Sequence, residues 1–195
     1  METARGYAIA QVFGLPTIRR YHALINEHFP HDVATRVLEI GCGIGSDRPM
    51  FGTDYTGVDI NPDYIERAKR NFSGTFFVMD ASKMSFAPNT FDDAISIATT
   101  HHLSDEQLPS LIRRATTAAS RLHIVDAILP ISARSYFKTT LFRMDRGRYV
   151  RTFDQLRSIV SNNSRLEFSQ AIEGPLHDVC YIRCSRSAAR EGGYE

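Results

Sequence analysis

Residues 37–47 read VLEIGCGIGSD, an apolar run that passes directly into Gly41, Gly43 and Gly45 at alternate positions. The apolar start predicts a buried strand. Glycine has no side chain and tolerates positive φ, so a loop of glycines lets backbone N–H groups approach a ligand closely. A tight turn without a ligand needs one such glycine rather than three. The loop therefore predicts a ligand site, and its N–H groups favour a carboxylate or phosphate.

Strand and helix patterns alternate along the rest of the chain. Apolar runs predict strands at 36–40, 55–60, 75–80, 91–99, 121–129, 165–173 and 178–184. Helical spacing predicts helices at 17–30, 61–72, 104–120, 132–147 and 152–163. This alternation predicts an α/β fold, a doubly wound, Rossmann-like, mostly parallel seven-stranded sheet with helices on both faces. The short turn between the last two strands predicts an antiparallel C-terminal edge hairpin.

Length and composition limit the class of protein. The chain has 195 residues, 43% of them hydrophobic, and a formal net charge of +1, which fits one domain over residues 1–195. So small a charge argues against a nucleic-acid partner. The three cysteines lack a metal-binding spacing and suit a reducing compartment, so a cytoplasmic protein without a metal is expected. No apolar run predicts a signal peptide or a membrane span.

Acidic residues end the two predicted strands that follow the glycine loop. Asp59 comes 18 residues after Gly41, where a carboxylate can bind both hydroxyls of a ribose. Asp80 ends the third strand, where it can accept a hydrogen bond from the exocyclic amine of adenine. Either aspartate alone could be a loop cap, but the pair predicts a nucleoside site. Ser46 stands where the dinucleotide fingerprint G-x-G-x-x-G has its last glycine, which argues against NAD.

As an ordered set, these motifs resemble the class I S-adenosylmethionine-dependent methyltransferases, of the small free-standing methyltransferase-domain 11 and 25 type. The resemblance covers about residues 34–130 and rests on VLEIGCGIG, YTGVDINPDYIERAKRN, FFVMDASKMSFAPNTFDDAISI and HHL. It implies S-adenosyl-L-methionine as cofactor and S-adenosyl-L-homocysteine as product. Two features depart from the family. Pro49 and Gly52 shorten the helix after the glycine loop, and the Pro-Gly-Gly turn before the fifth strand is missing.

The resemblance implies which residues hold the methionine end of the cofactor. Backbone near Ile97 would pass beneath the sulfonium, and Glu39 would hold the loop and, indirectly, the amino group. The loop residues that would wrap this end are Gly41, Cys42, Gly43 and Gly45.

The resemblance likewise assigns the nucleoside end. Asp59 would bind the ribose hydroxyls, and Ile60 would pack on a face of the adenine. Asp80 would accept a hydrogen bond from the adenine amine, while the Ala81 N–H would meet a ring nitrogen.

Methyl transfer by in-line displacement requires that the acceptor be held in line, and a hydroxyl acceptor also requires a base. His101 and His102, just past the fourth strand, are the candidate bases. Histidine also serves packing and loop hydrogen bonding at such a place, and the sequence does not choose between the two. The chain lacks the Asp/Asn-Pro-Pro-Tyr and Pro-Cys motifs after this strand. That absence favours a small-molecule acceptor over DNA, and transfer to oxygen is the leading prediction.

Two regions are expected to cover the acceptor, an N-terminal helical lid at 1–33 and an acceptor-side insertion at 131–153. The insertion interleaves basic and aromatic residues, which would suit an anionic, partly apolar acceptor. The solvated basic face of an amphipathic helix is the simpler account, and the sequence favours it. At least one of its arginines at 143, 146, 148 and 151 is expected to face the acceptor. The predicted acceptor contacts are Tyr21, Tyr136, Arg143, Arg146 and Arg148.

Three alternatives stay open. A methyltransferase acting on RNA or protein would dock through the basic segment 133–153, and RNA binding would depend steeply on salt. A non-catalytic cofactor-binding subunit would show a damaged glycine loop or missing acids. A nicotinamide oxidoreductase would show the glycine spacing G-x-G-x-x-G and a Tyr-x-x-x-Lys pair.

Residues 185–195 are expected to form a disordered tail, and the oligomeric state does not follow from the sequence.

Overall fold

The computed structural model of the protein describes residues 4–30, 32, 35–132, 148–174 and 177–187, with the side chains of residues 4–15 excepted. The helices are α1 (Ala4–His28), α2 (Pro62–Asn71), α3 (Gln107–Ala118) and α4 (Phe153–Asn163). The strands are β1 (Val37–Ile40), β2 (Tyr55–Asp59), β3 (Thr75–Val78), β4 (Phe91–Ile97), β5 (Ala119–Ile128), β6 (Arg165–Ile172) and β7 (Asp178–Ser185). Short 3-10 turns span Arg48–Met50 and Thr100–His102.

The seven strands form one sheet in the order β3-β2-β1-β4-β5-β7-β6. Strands β1 to β5 pair in parallel, and β7 runs antiparallel to both β5 and β6. The predicted mostly parallel sheet with an antiparallel C-terminal hairpin is confirmed. After β3, at one edge of the sheet, the chain returns to form β4 on the other side of β1. The direction of strand order therefore reverses between the neighbouring strands β1 and β4. The carboxyl ends of these two strands therefore form the switch point where ligands bind in such sheets.

The two faces of the sheet carry separate hydrophobic clusters. Leu38 and Ile40 belong to the cluster that packs under α3 and α4. Val37, between α1, α2 and the sheet, belongs to the other cluster. Successive side chains of a strand point to opposite faces, so β1 needs apolar residues at consecutive positions to fill both clusters. Helices on both faces are thus confirmed.

Some predicted element ends differ from the structure. Asn61 caps α2 by accepting a hydrogen bond from the Asp63 N–H at 2.9 Å, as its sequence predicts. Strand β3 ends at Val78, so Asp80 lies in the loop beyond it rather than at its last position. Only the short turn Arg48–Met50 follows the glycine loop, because a proline inside a longer helix would remove a backbone donor.

Two predicted segments fall wholly or partly outside the described residues. The predicted helix at 132–147 lies outside the described residues from residue 133 onward. The first residues of the predicted tail are structured, because Ser185 closes β7 and Arg186 donates to the carbonyls of Thr116 and Thr117. Residues 188–195 are not described. Within the described part of the chain, no helix combines the length and the apolar composition that a membrane crossing requires.

Helix α1 begins well before its predicted start and contains Pro16. Its second half buries Leu24 and Ile25 against the sheet. His22 Nε2 lies 2.7 Å from Asp47 Oδ1, which anchors the helix to the segment that follows the glycine loop. Arg20 donates to the Glu173 carbonyl at 2.9 Å, which anchors it to the turn after β6. The lid role of residues 1–33 stays a prediction.

A buried hydroxyl in β4 generates a stability prediction. Ser96 is fully buried, and its Oγ has no hydrogen-bond partner among the described residues. An unsatisfied buried polar group costs about 1–3 kcal/mol, so Ser96→Ala should raise the free energy of unfolding by about 1 kcal/mol in urea titration. The control Ser158→Ala, at an exposed position of α4, should change it by less than about 0.5 kcal/mol. A loss of stability in Ser96→Ala would contradict the prediction.

The anchor of α1 should depend on pH. The hydrogen bond to Asp47 raises the pKa of His22 above 6.5, against the opposing effect of burial. A raised pKa in the folded state stabilises the protein below the unfolded value, and this contribution is lost as pH rises through the folded pKa. His22→Gln should therefore reduce stability more near about pH 5.5 than near about pH 8.5, bracketing the ordinary histidine pKa.

The side chain of His22 is 37% exposed, so the difference should stay below about 1 kcal/mol. Urea titrations at both pH values measure it. Asp47→Asn should remove the same pH dependence, and an unchanged dependence in both variants would refute the anchor.

Candidate cofactor and active site

The glycine loop closes over the carboxyl end of β1. Gly41, Gly43 and Gly45 have φ of 78°, 54° and 81°. A Cβ on Gly41 would lie 2.1 Å from Thr99 Oγ1, and one on Gly45 would lie 3.0 Å from the Phe72 ring. A Cβ on Gly43 would meet no atom of the described chain within 4 Å. Gly41 and Gly45 thus serve close packing, whereas Gly43 borders open space.

Asp59 fixes this loop from the end of the neighbouring strand. Its Oδ2 accepts the Gly43 N–H at 2.9 Å, and its Oδ1 accepts the Asn61 N–H at 2.8 Å. A carboxylate oxygen has two lone pairs, so each oxygen retains capacity for a further donor such as a ribose hydroxyl. Asp59 therefore braces the loop beside the open space, and its contact with a ribose stays a prediction.

Exposed apolar side chains flank this carboxylate. Ile60 is 68% exposed although it directly follows β2. Val78, which is 53% exposed, pairs with Asp59 across the β2–β3 register. Apolar side chains left exposed beside convergent polar groups are typical of a binding site. The contact of Ile60 with one face of an adenine stays a prediction.

Asp80 acts as a loop cap in this structure. Its Oδ1 accepts hydrogen bonds from the Ser82 hydroxyl at 2.7 Å and the Ser82 N–H at 2.9 Å. The bond to the Ser82 hydroxyl is the main cause that lowers the pKa of Asp80, with burial opposing it. Ala81, the predicted partner of a ring nitrogen, is half-buried in the same turn. The cap leaves Asp80 ionised, and the adenine contacts of both residues stay predictions.

Glu39 lies inside the protein rather than in the cleft. It is buried in β1 and accepts a hydrogen bond from the Tyr55 hydroxyl on β2. Burial raises the pKa of Glu39 well above its usual value. Cys42 is buried too, and burial raises the pKa of its thiol, so it is not a reactive nucleophile. The role of Glu39 toward the loop stays a prediction, and its contact with Tyr55 was not predicted from the sequence.

The chain is strained where it leaves β4. Ile97 is buried, and Ala98 has a φ of 48° in the left-handed region. The Ala98 N–H donates to the Val125 carbonyl at 2.8 Å, and the Thr99 hydroxyl donates to the Ile97 carbonyl at 2.9 Å. Strain of this kind in a residue other than glycine clusters at functional sites. Here it turns the chain sharply beside Gly41.

A histidine–aspartate pair follows this turn. His101 is 7% exposed, and its Nδ1 lies 2.6 Å from Oδ1 of the fully buried Asp126 on β5. Asp126 also accepts hydrogen bonds from the Thr100 hydroxyl and from the Ala127 N–H at 2.8 Å. Burial would raise the pKa of Asp126, but His101 and these hydrogen bonds lower it below its usual value. The carboxylate is ionised and only accepts, so Nδ1 carries a hydrogen, and in the neutral imidazole the lone pair is on Nε2.

The structure distinguishes the two histidines that the sequence left equivalent. His102 is exposed and stacks on His101 with the ring centroids 4.2 Å apart. Only His101 is oriented by a buried carboxylate. The sequence analysis missed Asp126, although an acidic residue within the apolar strand RLHIVDAIL is itself a signal.

The residues predicted to contact the acceptor are distributed unevenly. Tyr21 is 6% exposed in the cluster under α1, whereas Arg148 is exposed. Arg151 is buried and fully engaged with protein acceptors. A groove of about 670 Å³ runs between Asp105, residues 148–151 and the start of α4. The predicted contacts that lie outside the described residues are Tyr136, Arg143 and Arg146.

Comparison with known proteins finds matches to the first part of the sheet and its helices. Residues 37–120 match the family model of a methyltransferase domain. A stretch of 80 residues is 34% identical to 2-methyl-6-phytyl-1,4-hydroquinone methyltransferase of Synechocystis sp., covering 37% of this chain and 25% of that protein. The chain spans a third or less of the length of the curated relatives it matches.

Solved structures share the fold over most of the chain. The YcgJ protein from Bacillus subtilis superposes with a TM-score of 0.70 at 16% identity, over 87% of this chain and 100% of that chain. Magnesium protoporphyrin IX methyltransferase from Synechocystis PCC 6803 with bound SAH superposes with a TM-score of 0.64 at 17% identity, over 96% of this chain and 89% of that chain. Residues 37–120 thus match a methyltransferase domain, and the chain as a whole shares the fold of these solved structures.

Proposed function

We propose that the protein transfers a methyl group from S-adenosyl-L-methionine to an oxygen atom of a small-molecule acceptor. The observation that carries the proposal is the space at Gly43, which borders no described atom within 4 Å while its N–H is held by Asp59. A cradle of this shape accepts a ligand backbone that any side chain at Gly43 would displace. When bound, S-adenosyl-L-methionine supplies a methyl group on a sulfonium, which leaves by in-line displacement.

The residues around this space fit both ends of that cofactor. The glycine loop would line its methionine end, where the N–H groups of Gly41, Cys42, Gly43 and Gly45 already donate to acceptors of the protein itself. Asp59 would bind the ribose hydroxyls with its remaining lone pairs, and Ile60 would cover a face of the adenine. Asp80 and Ala81 would meet the edge of the ring. These roles combine the family resemblance with the exposure and hydrogen-bond capacity of each side chain.

His101 is the group that would take a proton from the acceptor. Asp126 fixes the hydrogen on Nδ1 and so presents Nε2 as the base. As the proton arrives, the ionised Asp126 would stabilise the imidazolium. Histidine is the side chain most often used for general acid–base catalysis. His102, stacked on the outer face of this ring, would shield it rather than take the proton.

A small acceptor is supported by two lines of argument. The net charge of +1 offers little attraction to a polyanion. The hydroquinone and porphyrin methyltransferases that resemble this chain are named for small molecules. The exposed Arg148 would suit an anionic acceptor, and Tyr21, Tyr136, Arg143 and Arg146 remain proposed contacts.

Cys42, Cys180 and Cys184 are all free thiols, which supports the cytoplasmic location that we also propose.

The cofactor site is tested by adding a single methyl group to the loop. Gly43→Ala should fold with a strain cost of about 1 kcal/mol and should bind S-adenosyl-L-homocysteine at least about tenfold more weakly in calorimetry, a loss of about 1.4 kcal/mol. Its Cβ would enter the space that the ligand occupies. The wild-type protein should gain thermal stability with S-adenosyl-L-homocysteine and none with NAD.

Asn89→Ala is the matched control. Asn89 has a φ of 57°, close to the 54° of Gly43, but it lies before β4 and its N–H donates to the Thr117 carbonyl. This variant should lose similar stability and keep wild-type affinity. Failure of the wild-type protein to bind S-adenosyl-L-homocysteine would overturn the proposed function.

The base is tested by comparing the two histidines. His101→Gln should lower kcat at least about 100-fold with a hydroxyl acceptor, whereas His102→Gln should lower it less than about threefold. Asp126→Asn should resemble His101→Gln, because it removes the carboxylate that sets the tautomer. Binding of S-adenosyl-L-homocysteine should stay unchanged in all three variants.

Transfer of isotope-labelled methyl to a panel of phenols and carboxylic acids measures these rates. A carboxylate acceptor carries no proton at neutral pH, so its rate should be insensitive to His101→Gln. Equal losses in the two histidine variants would contradict the assignment of the base. Activity on RNA that falls steeply with salt would contradict the small-molecule acceptor.

A further inference from the structure

Arg151 makes an unusually complete set of hydrogen bonds for an arginine that the sequence placed among the acceptor-facing candidates. Its side chain is buried, and each of its five N–H donors has an acceptor. Nε and Nη2 donate to Asp105 Oδ1 at 2.9 and 2.7 Å. Nη1 donates to the carbonyls of Thr100 and Tyr149 at 3.1 and 2.9 Å, and Nη2 donates to the Leu103 carbonyl at 2.7 Å.

These acceptors surround the turn that carries His101. Thr100 precedes the histidine and Leu103 follows it, so one guanidinium holds the turn on both sides. Two backbone hydrogen bonds reinforce the attachment. The Tyr149 N–H donates to the His101 carbonyl at 3.0 Å, and the Leu129 N–H donates to the Arg151 carbonyl at 2.8 Å.

Leu129 directly follows β5, the strand that carries Asp126. The Arg151 backbone is therefore attached to the strand of the aspartate, and the Arg151 side chain is attached to the turn of the histidine. His101 lies in the turn and Asp126 lies in β5. Arg151 therefore connects this turn to this strand through contacts that are separate from the His101–Asp126 hydrogen bond.

We propose that Arg151 is a positioning residue, which clamps the 100–105 turn to the end of β5 and so holds His101 Nδ1 on Asp126. The proposal rests on the proposed function only in taking His101 as the base. The geometric part, that the clamp sets the position and tautomer of the imidazole, stands independently of any reaction.

The clamp depends on the shape of the guanidinium more than on its charge. Asp105 is 80% exposed, and an ion pair to so exposed a carboxylate is weakened by solvent. The hydrogen bonds to the backbone carbonyls are buried with the arginine. These carbonyls lie on different sides of the guanidinium, so they require donors that point in several directions. Lysine offers three donors from a single nitrogen and cannot span them. Losing the carbonyl contacts should therefore matter more than losing Asp105.

Three variants separate these contributions. Arg151→Met removes all five donors, Arg151→Lys keeps the charge, and Asp105→Asn weakens only the exposed ion pair. Arg157→Met is the matched control, because Arg157 is an exposed arginine of the adjoining helix α4. Arg151→Lys also guards against the loss of folding that complete removal of a buried charge can cause.

The first measurement is hydrogen exchange of the full chain without ligand. In Arg151→Met and Arg151→Lys, the amides of Leu103 and Tyr149 should exchange at least about tenfold faster, a loss of about 1.4 kcal/mol in local stability. The Gly41 amide, which donates to the Val58 carbonyl on the far side of the switch point, should keep its wild-type rate.

The second measurement is the ¹⁵N spectrum of histidine side chains at neutral pH. Wild-type His101 should show one tautomer, with the hydrogen on Nδ1, and both Arg151 variants should show averaged tautomers. Asp105→Asn should shift the spectrum less than either, and Arg157→Met should leave it unchanged. A purely structural arginine would lower the melting temperature without altering the tautomer.

The outcomes are distinct for the two proposals. Wild-type exchange and a single His101 tautomer in Arg151→Lys would overturn the clamp, as would an equal effect in Arg157→Met. Calorimetry with S-adenosyl-L-homocysteine should give affinities within about twofold of wild type in every variant, because the clamp lies outside the cofactor contacts. Absence of binding by the wild-type protein would instead overturn the proposed function. The clamp would still be tested in that case, because the tautomer of His101 is measured without ligand.

Discussion

The hydrogen bond from the Gly43 N–H to Asp59 determines the shape of the cleft. It joins the loop after β1 to the end of β2 and holds the loop amide next to the carboxylate. Gly43 can take this position because it needs no room for a side chain and has a φ of 54°. The glycine loop and the Asp59 carboxylate, which would face the methionine end and the ribose of the cofactor, are thereby fixed relative to each other before any ligand arrives, which lowers the entropy cost of binding.

The other half of the site is assembled across β4 and β5. The strained turn at Ala98 brings the chain around beside Gly41, and the next turn carries His101 to Asp126. Each element is then tied down by contacts that lie outside the cleft. Arg151 secures the histidine turn and His22 secures the glycine loop. A site at the switch point thus depends on residues from helices and loops that never reach the ligand space.

Local patterns predicted the fold, and they singled out the glycine loop and Asp59, which the structure brings into contact. The glycine loop and Asp59 are close in sequence to the strands that position them, and each motif carries its own geometric requirement. The acceptor half was predicted poorly. His101 and His102 are adjacent and chemically identical in the sequence, so only the distant Asp126 could distinguish them. Arg151 was grouped with acceptor-facing arginines because its composition suggests a basic surface, whereas its donors are consumed by backbone carbonyls.

The sequence by itself determined the alternation of strands and helices, the glycine loop and the acid that ends the second strand. These features depend on the periodicity of side chains and on glycine, which act within a few residues. Only the tertiary structure decided that Gly43 rather than Gly41 borders the open space, that Asp126 orients His101 and that Arg151 faces inward. Those outcomes depend on contacts between residues far apart in the chain, which exist only once the sheet has brought its strand ends together.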